Sequence, residues 1–233
     1  LLHPLRSTVT VLAVAAVLVP YLVGMGLAEG LRREAGLAIG EPAGSEQARL
    51  PDLYVSGSRF GRRVPIPLSQ AELIGRFEGV TRVVPRIVGR VTLGTDRVEA
   101  VLVGIPLSEL ERTIAERLPQ KQQLADLFDG QMPRSRRGDQ PELLLGGELA
   151  RRLRLKVGTV IPPIFASTSG AKTPRITGIF RSDNSLWQAN VILTTFETAA
   201  DLFDQQGLAT DLLVYCRPGQ PAAIRARILA EGT

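Results

Sequence analysis

The chain has 233 residues, 28 Lys and Arg against 23 Asp and Glu, and a formal net charge of +5. Its single cysteine, Cys216, rules out an intrachain disulfide, and its single histidine, His3, removes His-based zinc clusters and Ser-His-Asp chemistry from everything downstream. The basic excess does not read as a nucleic-acid footprint: aromatic residues make up 5 %, and the densest basic run, Arg134-Ser135-Arg136-Arg137, has no aromatic neighbour on which a base could stack.

Residues 7–28, STVTVLAVAAVLVPYLVGMGLA, carry no charge over about 22 positions, about what a helix needs to cross a bilayer. Length favours a retained anchor, with Val9, Leu12, Val14, Val17, Leu18, Tyr21 and Leu22 facing lipid. A cleaved signal peptide and a buried soluble helix are the competing readings. Arg6 precedes the stretch and Arg32 and Arg33 follow it, so charge alone leaves the topology open. Leu1 at the start and Gly232-Thr233 at the end lead us to expect a fragment.

Residues 29–51 are rich in Gly and Pro and read as a helix extension that frays into a linker. An α+β order follows. A short strand is expected at 52–56, a turn-rich stretch at 57–67, and a helix with Ala71, Ile74 and Phe77 on its inner face. In the extended run 80–93 a period of two sets Val83, Ile87, Val91 and Leu93 against Arg82, Arg86 and Arg90. The three arginines are candidate partner contacts, with a solvated strand face as the plainer reading. Residues 94–97 turn the chain into a second strand, 98–105.

Ser108 and Glu111 match a capping box, opening a helix with Leu107, Leu110, Ile114 and Leu118 inward. Leu124, Leu127 and Phe128 suggest a short helix, and 133–140 a charged loop holding Arg136, a further candidate contact. Residues 142–147 read as a buried strand entering a tight Gly146-Gly147 turn, where a side chain would push the following helix, 148–155, off the sheet. Strands are expected at 160–165, 176–181 and 191–193. Trp187 falls in an expected loop at 182–189, as a partner anchor or a lid on the core. Thr194 and Glu197 match a second capping box before the helix carrying Phe196, Ala199, Ala200 and Phe203. A strand at 212–216 and a helix from Pro221 close the chain. The acidic pairs Glu109/Glu111 and Asp201/Asp204 read as hydrated helix surface, and no catalytic residue, cofactor or metal ligand is expected.

The leading Leu-His-Pro-Leu-Arg-Ser before one span, the strand Asp52-Leu53-Tyr54-Val55, and Glu142-Leu143-Leu144-Leu145-Gly146-Gly147-Glu148-Leu149-Ala150 followed by Leu155-Lys156-Val157-Gly158-Thr159 resemble the MacB/FtsX-like permease subunits of ABC transporters. So do Ile179-Phe180-Arg181 and the strand-to-helix step at 191–203. The resemblance implies one N-terminal transmembrane helix and stalk (1–50), then an extracytoplasmic porter-like β/α domain in two parts (51–119 and 191–233) with an inserted second α+β subdomain (120–190). It implies residence in a bacterial inner membrane with the domain on the periplasmic side, and no enzyme activity in this chain. The partners implied are a separate cytoplasmic ABC ATPase, a second permease copy or homologue, the lipid bilayer and an envelope protein or lipoprotein substrate, but no nucleic acid. A single-pass anchored envelope scaffold or hydrolase is the alternative.

Overall fold

The structure, a computed structural model, describes residues 51–93, 97–116, 128–134, 139–162, 173–182 and 185–231. The apolar stretch 7–28 with its anchor residues, Arg136 and the expected helix at Leu124 and Leu127 lie outside them. Among the described residues no helix is long and apolar enough to cross a membrane.

Strands β1 (Leu53–Arg59) and β2 (Arg62–Val64) form a hairpin: β1 carries the strand expected at 52–56 three residues further, and β2 falls in the stretch where the sequence predicts only turns. Its two-residue loop, Phe60-Gly61, has φ of 50° and 74°. Positive φ at both central residues matches the right-handed twist of the strands and is met most cheaply by Asn-Gly. Phenylalanine there costs on the order of 1 kcal/mol. β3 (Ile66–Pro67) then leads into helix α1 (Leu68–Gly75), which buries Ile74, while Phe77 is buried just beyond the helix end.

β4 (Val80–Leu93) has the predicted bounds and is shared between two partners. Val80–Arg86 pair with the late strand β11 (Asp211–Cys216), and Ile87–Leu93 pair with β5 (Val98–Ile105). Thr210 bridges the change of partner: its N–H donates to the Arg86 carbonyl, and its hydroxyl accepts from the Val88 N–H at 3.0 Å.

Helix α2 (Leu107–Glu116) begins one residue before Ser108, so the expected capping box does not form. Pro106 opens the helix instead, its carbonyl accepting from the N–H of Leu110. Phe128 belongs to strand β6 (Phe128–Gly130), not to a helix: it pairs with Phe180 across the ladder, and Gly178 leaves room for its ring, since a Cβ there would lie 2.5 Å from it. β7 (Glu142–Gly146) runs into α3 (Gly147–Leu153), which Arg154 ends in the left-handed conformation. Of the strand expected from Val160 only a bridge to Arg175 of β8 (Arg175–Phe180) is described. The expected loop around Trp187 is a short helix, α4 (Ser185–Asn190), too brief to show a periodic apolar face.

β9 (Val191–Thr195) runs into α5 (Phe196–Leu202). The cap is Thr195, one residue later than predicted, its hydroxyl accepting from the Thr198 N–H at 3.2 Å. Thr194 is still in the strand, and its hydroxyl donates to the Glu142 carbonyl at 2.7 Å. Thr195→Ala is therefore expected to cost about 1–2 kcal/mol, read as a urea midpoint shift, whereas Glu197→Ala should change it little. β10 (Leu208–Ala209) pairs with β3, and α6 (Pro221–Glu231) follows β11.

Among the described residues nine strands form one sheet in the order β2-β1-β11-β4-β5-β9-β7-β8-β6, antiparallel except for the β5/β9 and β7/β8 pairs. The fold is mixed α/β with a large sheet. Alternation splits its side chains between two clusters. Leu143, Leu145, Ile192, Leu102 and Ile87 join Ile74, Phe196, Ala199 and Ile224 from the helices. Leu144, Leu193, Val191, Ile105 and Phe180 join Leu110 of α2, with Trp187 packed against them. β9 lies between β5 and β7, so the strands of 128–180 continue the same sheet.

Candidate partner-binding face

The registers of β1, β11 and the first half of β4 place Tyr54, Leu213 and Val84 in one row across the sheet, with Tyr215 opposite Arg82 and Asp211 opposite Arg86. Period two keeps all of these on one face. The result is a row of planar groups, two arginines and two tyrosines, carried by rigid strands.

Arg82 is held from two directions. Its guanidinium lies 3.8 Å from the centroid of the Tyr215 ring, and its Nη1 donates to Glu109 Oε2 at 2.9 Å from the first turn of α2. Arg112, one turn further along α2, approaches the other oxygen of Glu109 at 4.0 Å. Thr81, Arg82, Glu109, Arg112 and Tyr215 line a shallow depression of about 530 Å³. Arg86 makes a two-pronged pair with Asp211, Nε to Oδ1 at 2.7 Å and Nη2 to Oδ2 at 3.0 Å, and lies 5.9 Å from the Tyr54 ring. The fork of a guanidinium matches a carboxylate in this way where an ammonium would not.

The arrangement suits recognition. Each carboxylate is engaged by an arginine, and the exposed half of Tyr54 and the depression beside Tyr215 offer π-faces and guanidinium edges to an incoming planar or anionic group. Among the described residues no three of His, Cys, Asp and Glu come together as a metal site.

Of the sequence-derived candidates, Arg82 and Arg86 meet on this face, partly buried and paired rather than freely solvated. Arg90 is exposed further along β4, opposite Val101. Trp187 is not in a loop: it is half-buried on α4 against the smaller cluster. The hydrated-surface reading of the acidic pairs holds for the exposed Glu111 and Asp204 but fails for Glu109, 16 % exposed on Arg82, and for Asp201, which is buried. Tyr54, Glu109, Asp211 and Tyr215 were not anticipated as site residues. The signal for two of them was present in Asp211-Leu212-Leu213-Val214-Tyr215, where period two sets Asp211 and Tyr215 on one face, but nothing in the sequence named β4 as its neighbour.

No protein-family model and no curated protein sequence matches the chain. Among solved structures, the extracellular domain of the noncanonic ABC-type transporter YknZ from Gram-positive bacteria is similar at 14 % identity and a TM-score of 0.47, over 72 % of this chain and 86 % of that one. The periplasmic region of MacB from Actinobacillus actinomycetemcomitans is similar at 13 % identity and a TM-score of 0.45, over 76 % of this chain and 79 % of that one.

Proposed function

We propose that this chain is the anchored, extracytoplasmic part of a MacB/FtsX-like ABC transporter permease subunit in a bacterial inner membrane. Its domain relays movement of the membrane segments to a substrate or envelope partner, and a separate cytoplasmic subunit hydrolyses ATP. The observation that carries the reading is the way the entering chain is joined to the last strand of the domain. Leu53, the first residue of β1, lies opposite Val214 near the end of β11, and Asp52 accepts a hydrogen bond from the Cys216 N–H at 2.7 Å. The segment arriving from the linker is thus tied to the last strand at one end of one sheet, and α6 follows from that same end. A domain whose first and last strands are joined in this way can follow movement of the segment attached there as a rigid body. The apolar stretch 7–28 and the order of elements support the same reading, and the arginine–tyrosine face is the surface we assign to the envelope partner.

Purified together with its ATPase subunit in lipid, the chain should support ATP hydrolysis that it lacks alone. ATP turnover by the chain alone would sink the proposal. The anchor has its own test. Leu18→Arg puts a charge near the middle of the stretch and should cost about 2.5–3.5 kcal/mol of insertion, seen as a lower membrane-bound fraction. A mature protein that starts near Glu29 in soluble extracts would establish a cleaved signal peptide instead.

A further inference from the structure

We infer that the tip of the β1–β2 hairpin is a docking element for an acidic protein: Phe60 enters an apolar pocket, and Arg59, Arg62 and Arg63 grip carboxylates on its rim. The inference deepens the proposed function and rests on it for the extracytoplasmic setting. Phe60 is 96 % exposed at the tip, in the left-handed conformation. Arg59 and Arg62 stand directly opposite each other across the hairpin, and the Arg59 guanidinium lies 5.8 Å from the Phe60 ring centroid. Arg63 stands opposite Ser58, and alternation along β1 puts both on the face that carries Tyr54. All three arginines are exposed, and none is paired with a carboxylate among the described residues. From Leu53 through Ala71 the sequence contains no Asp or Glu at all.

Hairpin stability does not account for this tip. A two-residue loop with both φ positive favours Asn-Gly, and like charges in directly opposed positions weaken a ladder. Protection of an edge strand accounts for an arginine or two on β2, but not for an aromatic ring held out in water at the turn. Nor is the hairpin a loose appendage. A Cβ on Gly57 would strike the Val64 carbonyl and press on the side chain of Ile66, which is buried in the larger core cluster. The base of the hairpin is therefore packed against the body of the domain, and the tip is held in one position before a partner arrives, which lowers the entropic cost of docking.

The chemistry of the tip specifies its occupant. An aromatic ring among arginines is the composition of protein-interface hot spots, where the ring is enclosed and the guanidinium forks meet carboxylates. The hairpin brings only positive charge, so the complementary surface is acidic. An anionic bilayer shares part of this chemistry, but the proposed function joins the domain to its membrane-connected segment at Asp52. That is the opposite end of β1, about 25 Å along the strand from the tip. A pocket also buries one projecting ring on all sides, whereas bilayer binding grows with apolar area and a single ring supplies little.

The test uses the full chain carrying Phe60→p-benzoylphenylalanine, expressed in its own species and irradiated in intact cells. It should give one protein adduct, with Asp or Glu beside the attachment point in the cross-linked peptide. Arg59→Gln, Arg62→Gln and Arg63→Gln together should lower the adduct yield about tenfold or more. Titrated in detergent with the protein so identified, full-length Phe60→Asn should bind about tenfold more weakly than wild type. The same variant should unfold at a higher urea concentration, followed through Trp187, because asparagine suits the turn. Adducts with lipid alone overturn the proposal in favour of a bilayer, and the absence of any adduct overturns it outright. So does an adduct that survives loss of the three arginines or maps to a peptide without Asp or Glu. A lower urea midpoint for Phe60→Asn would show that the ring holds the hairpin together, and its exposure would then need no partner. ATP hydrolysis separates the two readings. A chain that supports its ATPase subunit but yields no protein adduct refutes the docking alone, and one that does not support it refutes the transporter reading whatever the tip reports.

Discussion

Replacing Gly146 by alanine is expected to lower stability by about 3 kcal/mol, the upper end of what overpacking costs, while the same change at Gly147 should stay within about 1 kcal/mol. The two glycines are adjacent, and the sequence offers no reason to separate them. A Cβ on Gly146 would lie 2.3 Å from the carbonyl oxygen of Gln188, 2.7 Å from its carbonyl carbon and 2.8 Å from its Cα. These are backbone atoms of α4, and α4 has little freedom to retreat. The Gln188 amide donates to the Ser182 carbonyl, and Arg152 of α3 donates to the Ala189 carbonyl at 3.0 Å. At Gly147 the nearest atom is the Gln188 side-chain oxygen, at 3.2 Å, and the nearest backbone atom is 3.5 Å away, so an adjustment of a few tenths of an ångström suffices. Urea midpoints of residues 46–233 would decide it. A Gly146→Ala midpoint equal to wild type would mean that α4 yields, and that the strand-to-helix turn is not a close-packing device.

How far the fold could be read in advance depended on how local each cause is. β4 was legible to the residue because its alternation of valines with arginines is a property of one strand. The second capping box shows where a local rule stops. In Thr194-Thr195-Phe196-Glu197-Thr198 the template fits Thr194 with Glu197. The structure chooses Thr195 because the Thr194 hydroxyl is committed to the Glu142 carbonyl, 52 positions away in the chain. The candidate face was hidden for the same reason. Arg86 and Asp211 are separated by 125 positions, and their pairing depends on β11 returning to lie between β1 and β4. Glu109 looked like solvent-facing helix because only the docking of α2 brings it to Arg82.

That docking can itself be tested. Leu110→Ala should cost about 3 kcal/mol, within the range for removing a buried leucine side chain. Leu110 is fully buried among Ile105, Leu144, Phe180, Val191 and Leu193, and it precedes by two residues the arginine that lines the depression. Its neighbour Glu109 reaches Arg82 only because the helix is seated there. The ion pair itself should contribute less. Its members are 21 % and 16 % exposed, so solvent screens the pair, and Glu109→Gln should cost within about 1 kcal/mol. A double-mutant cycle on Arg82→Ala and Glu109→Ala should then give a coupling of roughly 0.5–1 kcal/mol in the wild-type background and close to zero in the Leu110→Ala background. Loss of coupling with loss of the leucine would show that apolar packing of α2 positions the carboxylate and sets the shape of the depression. Coupling that survives unchanged would mean that Glu109 is held by the arginine alone, and α2 would then follow the ion pair rather than place it.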